Sequence, residues 1–117
     1  MKEFDPYALA DEYEMQYKKV ADAEAQLAEV EAFKSIVKST EMLKSKASSI
    51  NAKEMEATAS EAYKDICKAI SLATKNAKLE KGALDLIKIK WETWRTEQAN
   101  NRQLDKYTKW LIIANHI

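Results

Sequence analysis

Residues 60–102 read SEAYKDICKAISLATKNAKLEKGALDLIKIKWETWRTEQANNR, and this stretch decides the fold. Stepping from Tyr63 alternately by three and four residues gives a nearly unbroken apolar series. Its members are Tyr63, Ile66, Ile70, Ala73, Ala77, Glu80, Leu84, Ile87, Trp91 and Trp94, of which only Glu80 is charged. We call these ten positions the seam. A sustained 3-4 spacing is typical of a coiled coil and predicts one long helix over residues 60–102.

The turn-forming residues are scarce. The chain has 117 residues with one Gly and one Pro, where average usage would give about eight and about six. Strand connections usually need Gly, Pro or Asn-Gly pairs, so a sheet is disfavoured. The composition predicts an all-α fold, an elongated antiparallel helical hairpin or coiled coil.

The chain divides into four segments within a single helical domain, residues 1–117. They are a first helix 7–46, a connector 47–59 with a short helix, the long helix 60–102 and an apolar, helical C-terminal tail 103–117. Asn51 with Glu54, and Thr58 with Glu61, have the spacing of capping boxes. Asn100-Asn101 is the expected end or kink of the long helix. The tail is expected to be buried, either against the bundle or in an oligomer.

A second apolar stripe runs along the long helix. It consists of Ala69, Leu72, Leu79, Ala83 and Leu86, with Ile89 beside it. One hairpin partner cannot cover two faces, so the stripe predicts a homo-oligomer. The expected interface residues are Leu72, Leu79, Leu86, Trp110, Leu111 and Ile113.

Charge is unevenly distributed along the chain. Residues 1–32 hold nine acidic residues and three lysines, whereas residues 33–117 hold ten acidic and sixteen basic residues, so the net charge is zero. The acidic first helix is expected to fold against the basic long helix. This balance disfavours a strongly cationic nucleic-acid-binding protein.

The sequence predicts no enzyme, no catalytic residues, no cofactor and no metal site. His116 lies near the end of the sequence, and Cys67 has no Cys or His partner in its helix. A glycine-rich phosphate loop is absent. A single cysteine fits a reducing compartment, and there is neither a signal peptide nor an apolar run long enough for a membrane, so cytoplasmic localisation is expected.

The end of the long helix is the candidate partner-binding site. An antiparallel hairpin would bring it to residues 7–17, where tyrosines would meet the tryptophans and Asp11, Glu12 and Glu14 would meet the arginines. The candidate residues are Trp91, Trp94, Arg95, Asn100 and Arg102. Lysines along the same helix make direct binding of single-stranded nucleic acid a lesser alternative to a protein partner.

The connector SSINAKEMEATASEAYKDI and the ending WETWRTEQANNR resemble small coiled-coil proteins of tailed bacteriophages and prophages. The resemblance rests on Trp94-Arg95, on Ala99-Asn100-Asn101-Arg102, and on Asn51, Glu54 and Tyr63 in the connector region. Such genes often lie near recombination and single-strand-binding genes. The resemblance implies an accessory protein of phage DNA recombination or replication that binds phage or host proteins in the bacterial cytoplasm.

Two other functions remain open. One is a phage-encoded inhibitor of a bacterial defence or nuclease complex, in which the acidic first helix imitates nucleic acid. The other is a coiled-coil spacer that binds no partner.

Overall fold

The computed structural model describes residues 4–116. They form three α-helices, α1 (Pro6–Lys44), α2 (Ile50–Ala59) and α3 (Glu61–Asn115), with no strand among them. The molecule measures 99 × 23 × 19 Å. The predicted all-α, elongated hairpin is confirmed. Residues 1–3 and 117, which the predicted domain and tail include, lie outside the described residues.

Short polar side chains begin each helix. The Asp5 carboxylate accepts hydrogen bonds from the backbone N–H groups of Tyr7 and Ala8, and Pro6 occupies the first turn of α1. Ser49 caps α2 by accepting from the N–H of Ala52, and Ser60 caps α3 by accepting from the N–H of Tyr63. Serine is a favoured N-cap because its hydroxyl oxygen satisfies a free amide.

The predicted capping boxes are therefore wrong. Asn51 and Thr58 lie inside α2 rather than at helix starts. Glu54 instead accepts a hydrogen bond from Lys38 Nζ at 2.5 Å, which ties α2 to α1.

Three contacts show that α1 and α3 are antiparallel. Near the start of α1, the Phe4 ring stacks on Trp94 with centroids 5.1 Å apart. Further along, Gln16 hydrogen bonds to Glu80. Towards the end of α1, Lys34 Nζ lies 5.8 Å from the centroid of the Tyr63 ring.

The seam of α3 faces α1 as predicted. Ala77, Leu84 and Ile87 are buried there, and nine of the ten seam residues are at least half-buried. The exception is Trp91, whose exposed fraction is 38 %. On α1, Leu9, Val20 and Ala23 are buried opposite them. No helix among the described residues is long and apolar enough to cross a membrane.

The expected helix end at Asn100-Asn101 is wrong, because α3 continues without interruption to Asn115. Asparagine in a helix interior costs only about 0.7 kcal/mol relative to alanine. No Gly or Pro follows within residues 102–116 to stop the helix.

Residues 103–115 are accordingly the last part of α3, and these residues and His116 are all exposed. The expectation that this tail folds back on its own bundle is wrong. We call residues 95–115 the projecting segment, since α3 extends beyond Trp94 there for about 32 Å at 1.5 Å per residue.

Candidate partner-binding site

Three aromatic rings form a cluster where α1 begins. The rings of Trp91 and Trp94 are tilted with centroids 5.2 Å apart, and Phe4 stacks on Trp94. Phe4 was not predicted from the sequence as a site residue. It immediately precedes the N-cap Asp5, a position where an apolar residue often packs beside the helix start, and this signal was available.

An apolar groove of about 880 Å³ lies between the start of α1 and α3. Its lining residues are Pro6, Tyr7, Leu9, Ala10, Tyr13, Ile87, Lys88, Trp91, Glu92 and Trp94. Tyr7 and Tyr13 thus share a groove with the tryptophans, as expected. Tyr17 is not among the lining residues and stacks on Tyr13, with ring centroids 6.5 Å apart.

Arg95 does not make the predicted contact with Asp11, Glu12 or Glu14. Its guanidinium lies 3.4 Å from Glu92, one turn back on the same helix, and remains 60 % exposed. The main reason is the axial offset between the helices. Gln16 lies level with Glu80 and Phe4 with Trp94, so Arg95 lies about 13 Å or more beyond the level of residues 11–14. The rotation of α1 adds to this separation. Leu9 and Gln16 face α3, so Asp11 and Glu14 lie on the outer side of α1.

The predicted site residues do not all share one surface. Trp94, Arg95 and Arg102 line a shallow depression of about 480 Å³ beside the aromatic groove. Trp91 lies on the same side of α3, because steps of four and seven residues return to one face of a helix. Asn100 is about two and a half turns from Trp91 and therefore lies on the opposite side. The structure brings four of the five residues together and separates Asn100 from them.

The predicted interface residues are exposed in the single chain. Leu72, Leu79 and Leu86 lie on the outer side of the hairpin, between 61 % and 68 % exposed. On the projecting segment, Trp110, Leu111 and Ile113 are also exposed. α1 covers neither group.

Opposite charges on α1 and α3 do not form direct ion pairs within residues 4–116. The ion pairs found there lie within one helix or join α1 to α2. Asp11, Glu24 and Glu31 are exposed, as are Lys78, Lys81 and Lys88. The acidic α1 therefore folds against the basic α3 as expected, but without direct ion pairs between the two helices among the described residues.

The described residues contain no cluster of three or more His, Cys, Asp or Glu side chains that could hold a metal ion. Cys67 is half-buried in α3, and His116 follows the last turn of that helix.

Together these features define an elongated antiparallel helical hairpin with an uncovered helical extension and an aromatic groove at its base. No protein-family model, curated protein or solved structure matches the chain.

Proposed function

We propose that this chain is a non-enzymatic coiled-coil protein that forms homo-oligomers through α3 and binds a protein partner at its aromatic groove. The resemblance to phage coiled-coil proteins suggests that it supports DNA recombination or replication in the bacterial cytoplasm. The observation that carries the proposal is the surplus of apolar surface on α3 that α1 leaves uncovered.

Self-association is supported by the projecting segment. Most of the stability of helices in proteins comes from the packing of one face against a neighbour, and nothing among the described residues packs against residues 103–115. This one exposes the large apolar side chains Leu104, Tyr107, Trp110, Ile112 and Ile113. Large contiguous apolar surfaces on soluble proteins mark interaction sites.

Partner binding is supported by the chemistry of the groove. Trp, Tyr and Arg are the residue types most enriched among those that dominate interface energies. Here Trp91 and Tyr7 line the groove, and the exposed guanidinium groups of Arg95 and Arg102 lie beyond its edge. The arrangement suits a peptide segment with apolar side chains followed by carboxylates, which arginine can bind in a bidentate manner.

The test is a charge reversal beside the groove. Wild type, Arg95→Glu/Arg102→Glu and Lys78→Glu/Lys81→Glu would be immobilised and offered purified phage single-strand annealing protein and host single-strand-binding protein. The second variant is the matched control, since it makes the same charge change on exposed positions of α3 away from the groove. We expect wild type and control to retain a partner and the Arg95/Arg102 variant to lose it. Equal retention by all three, with helicity unchanged, would place the contact elsewhere.

The exposed acids of α1 favour a second candidate, an inhibitor of a defence or nuclease complex. Asp22, Glu24, Glu29 and Glu31 are exposed and make no ion pair with α3 among the described residues. Neutralising these four residues would abolish nuclease inhibition if they imitate nucleic acid. It would leave capture of an annealing protein unchanged.

Direct binding of single-stranded DNA can be tested with the same wild type, Arg95/Arg102 and Lys78/Lys81 proteins. Phosphate contacts strengthen as salt is lowered, so DNA retention would be measured at about 50 mM salt. Retention lost in Lys78→Glu/Lys81→Glu would identify the lysine face of α3 as the binding surface.

A further inference from the structure

Two exposed apolar surfaces of α3 share one heptad register. The outer stripe of the hairpin follows alternating steps of three and four residues, through Ala69, Leu72, Asn76, Leu79, Ala83 and Leu86. The same steps continue through the polar residues Lys90, Thr93, Glu97 and Asn100. They then reach the apolar face of the projecting segment, Leu104, Tyr107, Leu111 and Ala114. The two surfaces therefore lie on one side of a single continuous helix.

We propose that two copies pair antiparallel along this side of α3, so that the projecting segment of each copy covers the outer stripe of the other. This rests on the self-association proposed above and specifies its geometry.

Antiparallel pairing matches two leucines of one surface to two leucines of the other, and it places Leu86 opposite Glu97. With the centre of symmetry between Trp91 and Glu92, Leu79 faces Leu104 of the second copy and Leu72 faces its Leu111. Leu72 and Leu79 are exposed in the single chain, so the pairing requires no rearrangement of the hairpin. Sliding by one heptad places Leu111 opposite Asp65 in one direction. In the other direction Leu79 would face Leu111 and Leu86 would face Leu104, but Leu72 would lie beyond the end of the second copy's α3 at Asn115 and stay uncovered.

The charged residues in the middle of the register favour the antiparallel direction. In parallel pairing each residue faces its own copy, so Lys90 would meet Lys90 and Glu97 would meet Glu97. Like charges directly opposite each other destabilise a coiled coil. In the antiparallel arrangement Lys90 faces Thr93 and lies within about one turn of Glu97 of the second copy. Symmetry produces this attractive pair twice.

The lengths of α1 and α3 are also compatible with the antiparallel pairing. Contacts from Lys34–Tyr63 to Phe4–Trp94 show that α1 accompanies α3 only as far as Trp94. The projecting segment begins there, and in the paired arrangement it lies beside the two-helix part of the other copy. The outer stripe faces away from Arg95 and Arg102, which lie on the other side of α3.

A charge exchange tests the direction and the register together. Leu79→Glu and Leu104→Lys, each alone, place a charge against leucine at both halves of the proposed interface. The two substitutions are then combined in one chain. If the helices are antiparallel in this register, the carboxylate at position 79 of each copy faces the ammonium group at position 104 of the other. The control Leu79→Glu/Leu104→Glu places like charges at the same positions. Both of the leucines replaced are exposed in the single chain, so helicity by circular dichroism should be retained.

We expect wild type and Leu79→Glu/Leu104→Lys to be dimers at a concentration where both single variants and the control are monomers. A dimeric wild type with a monomeric exchange variant would overturn this antiparallel register and leave self-association standing. A monomeric wild type would overturn both.

Discussion

Gln16 joins α1 to α3 by donating from one side-chain amide to two oxygens of Glu80. Its Nε2 lies 2.8 Å from the backbone carbonyl oxygen and 2.6 Å from the carboxylate. Both residues are half-buried on facing seams that are otherwise largely apolar. A single satisfied polar contact in such a seam fixes the register of two helices, because any slip leaves polar groups without partners.

Gln16→Ala should lower the free energy of unfolding by about 1–3 kcal/mol, the usual result of leaving a partly buried polar group without its hydrogen-bond partner. The urea midpoint measures the change. Gln26→Ala is the control, since Gln26 is an exposed residue of the same helix, and it should stay within about 0.5 kcal/mol of wild type. If both variants behave alike, the Gln16 contact does not contribute to stability.

Replacing both partners gives a different outcome. Gln16→Leu/Glu80→Leu should equal or exceed wild-type stability, since apolar replacement of a paired polar contact is often neutral or stabilising. The urea midpoint of this double variant is compared with that of Gln16→Leu alone. If the double variant is less stable than Gln16→Leu alone, Glu80 stabilises the fold by more than the apolar packing that replaces it.

Gly82→Ala should stabilise the protein. Gly82 lies inside α3, and a Cβ added there meets no atom within 4 Å. Alanine in a helix interior is favoured over glycine by about 1 kcal/mol. Thermal unfolding should show a higher midpoint. An unchanged or lower midpoint would indicate that this side of α3 is covered in solution.

The Lys38–Glu54 pair should make stability depend on pH in the alkaline range. The hydrogen bond from Lys38 to Glu54 raises the pKa of Lys38 above its ordinary value of 10.5; burial opposes this rise and the negative charge of Glu54 adds to it. Because the pKa is higher in the folded state, the stabilisation is fully present below pH 10.5 and is lost as the pH rises through the folded-state value.

The difference in urea midpoint between wild type and Lys38→Met should therefore shrink above pH 10.5. Lys44→Met is the control, because Lys44 pairs with Glu41 within its own helix. A Lys38→Met difference that is constant with pH would show that the ion pair does not stabilise the α1–α2 corner.

The seam from Tyr63 to Trp94 could be predicted from the sequence because its apolar spacing repeats over several heptads. The antiparallel packing of the first helix on the long helix could also be predicted, because the few turn-forming residues leave room for only a short connection between them. The ends of the helices were harder to predict, since the Asn100-Asn101 pair disfavours a helix only weakly. The partner of Arg95 could not be deduced, because it depends on the axial offset between α1 and α3 and on the rotation of α1 about its axis. Only the facing of Gln16 and Leu9 reveals that Asp11 and Glu14 point away.

Cysteine cross-linking should detect the neighbours proposed across the two copies. In a Cys67→Ser background, Asn76→Cys and Tyr107→Cys variants oxidised as a mixture should form a disulfide between the two kinds of chain, identified by mass spectrometry. Lys81→Cys with Arg102→Cys is the matched control at the same level on the opposite side of α3. Cross-linking of Asn76→Cys to itself would instead indicate parallel pairing.

The most direct test of the central claim, that the uncovered side of α3 holds two copies together, is the mass of the wild-type protein by light scattering at micromolar concentration. Self-association predicts a mass of about twice the 13.4 kDa of one chain. A single sharp species of 13.4 kDa would contradict it.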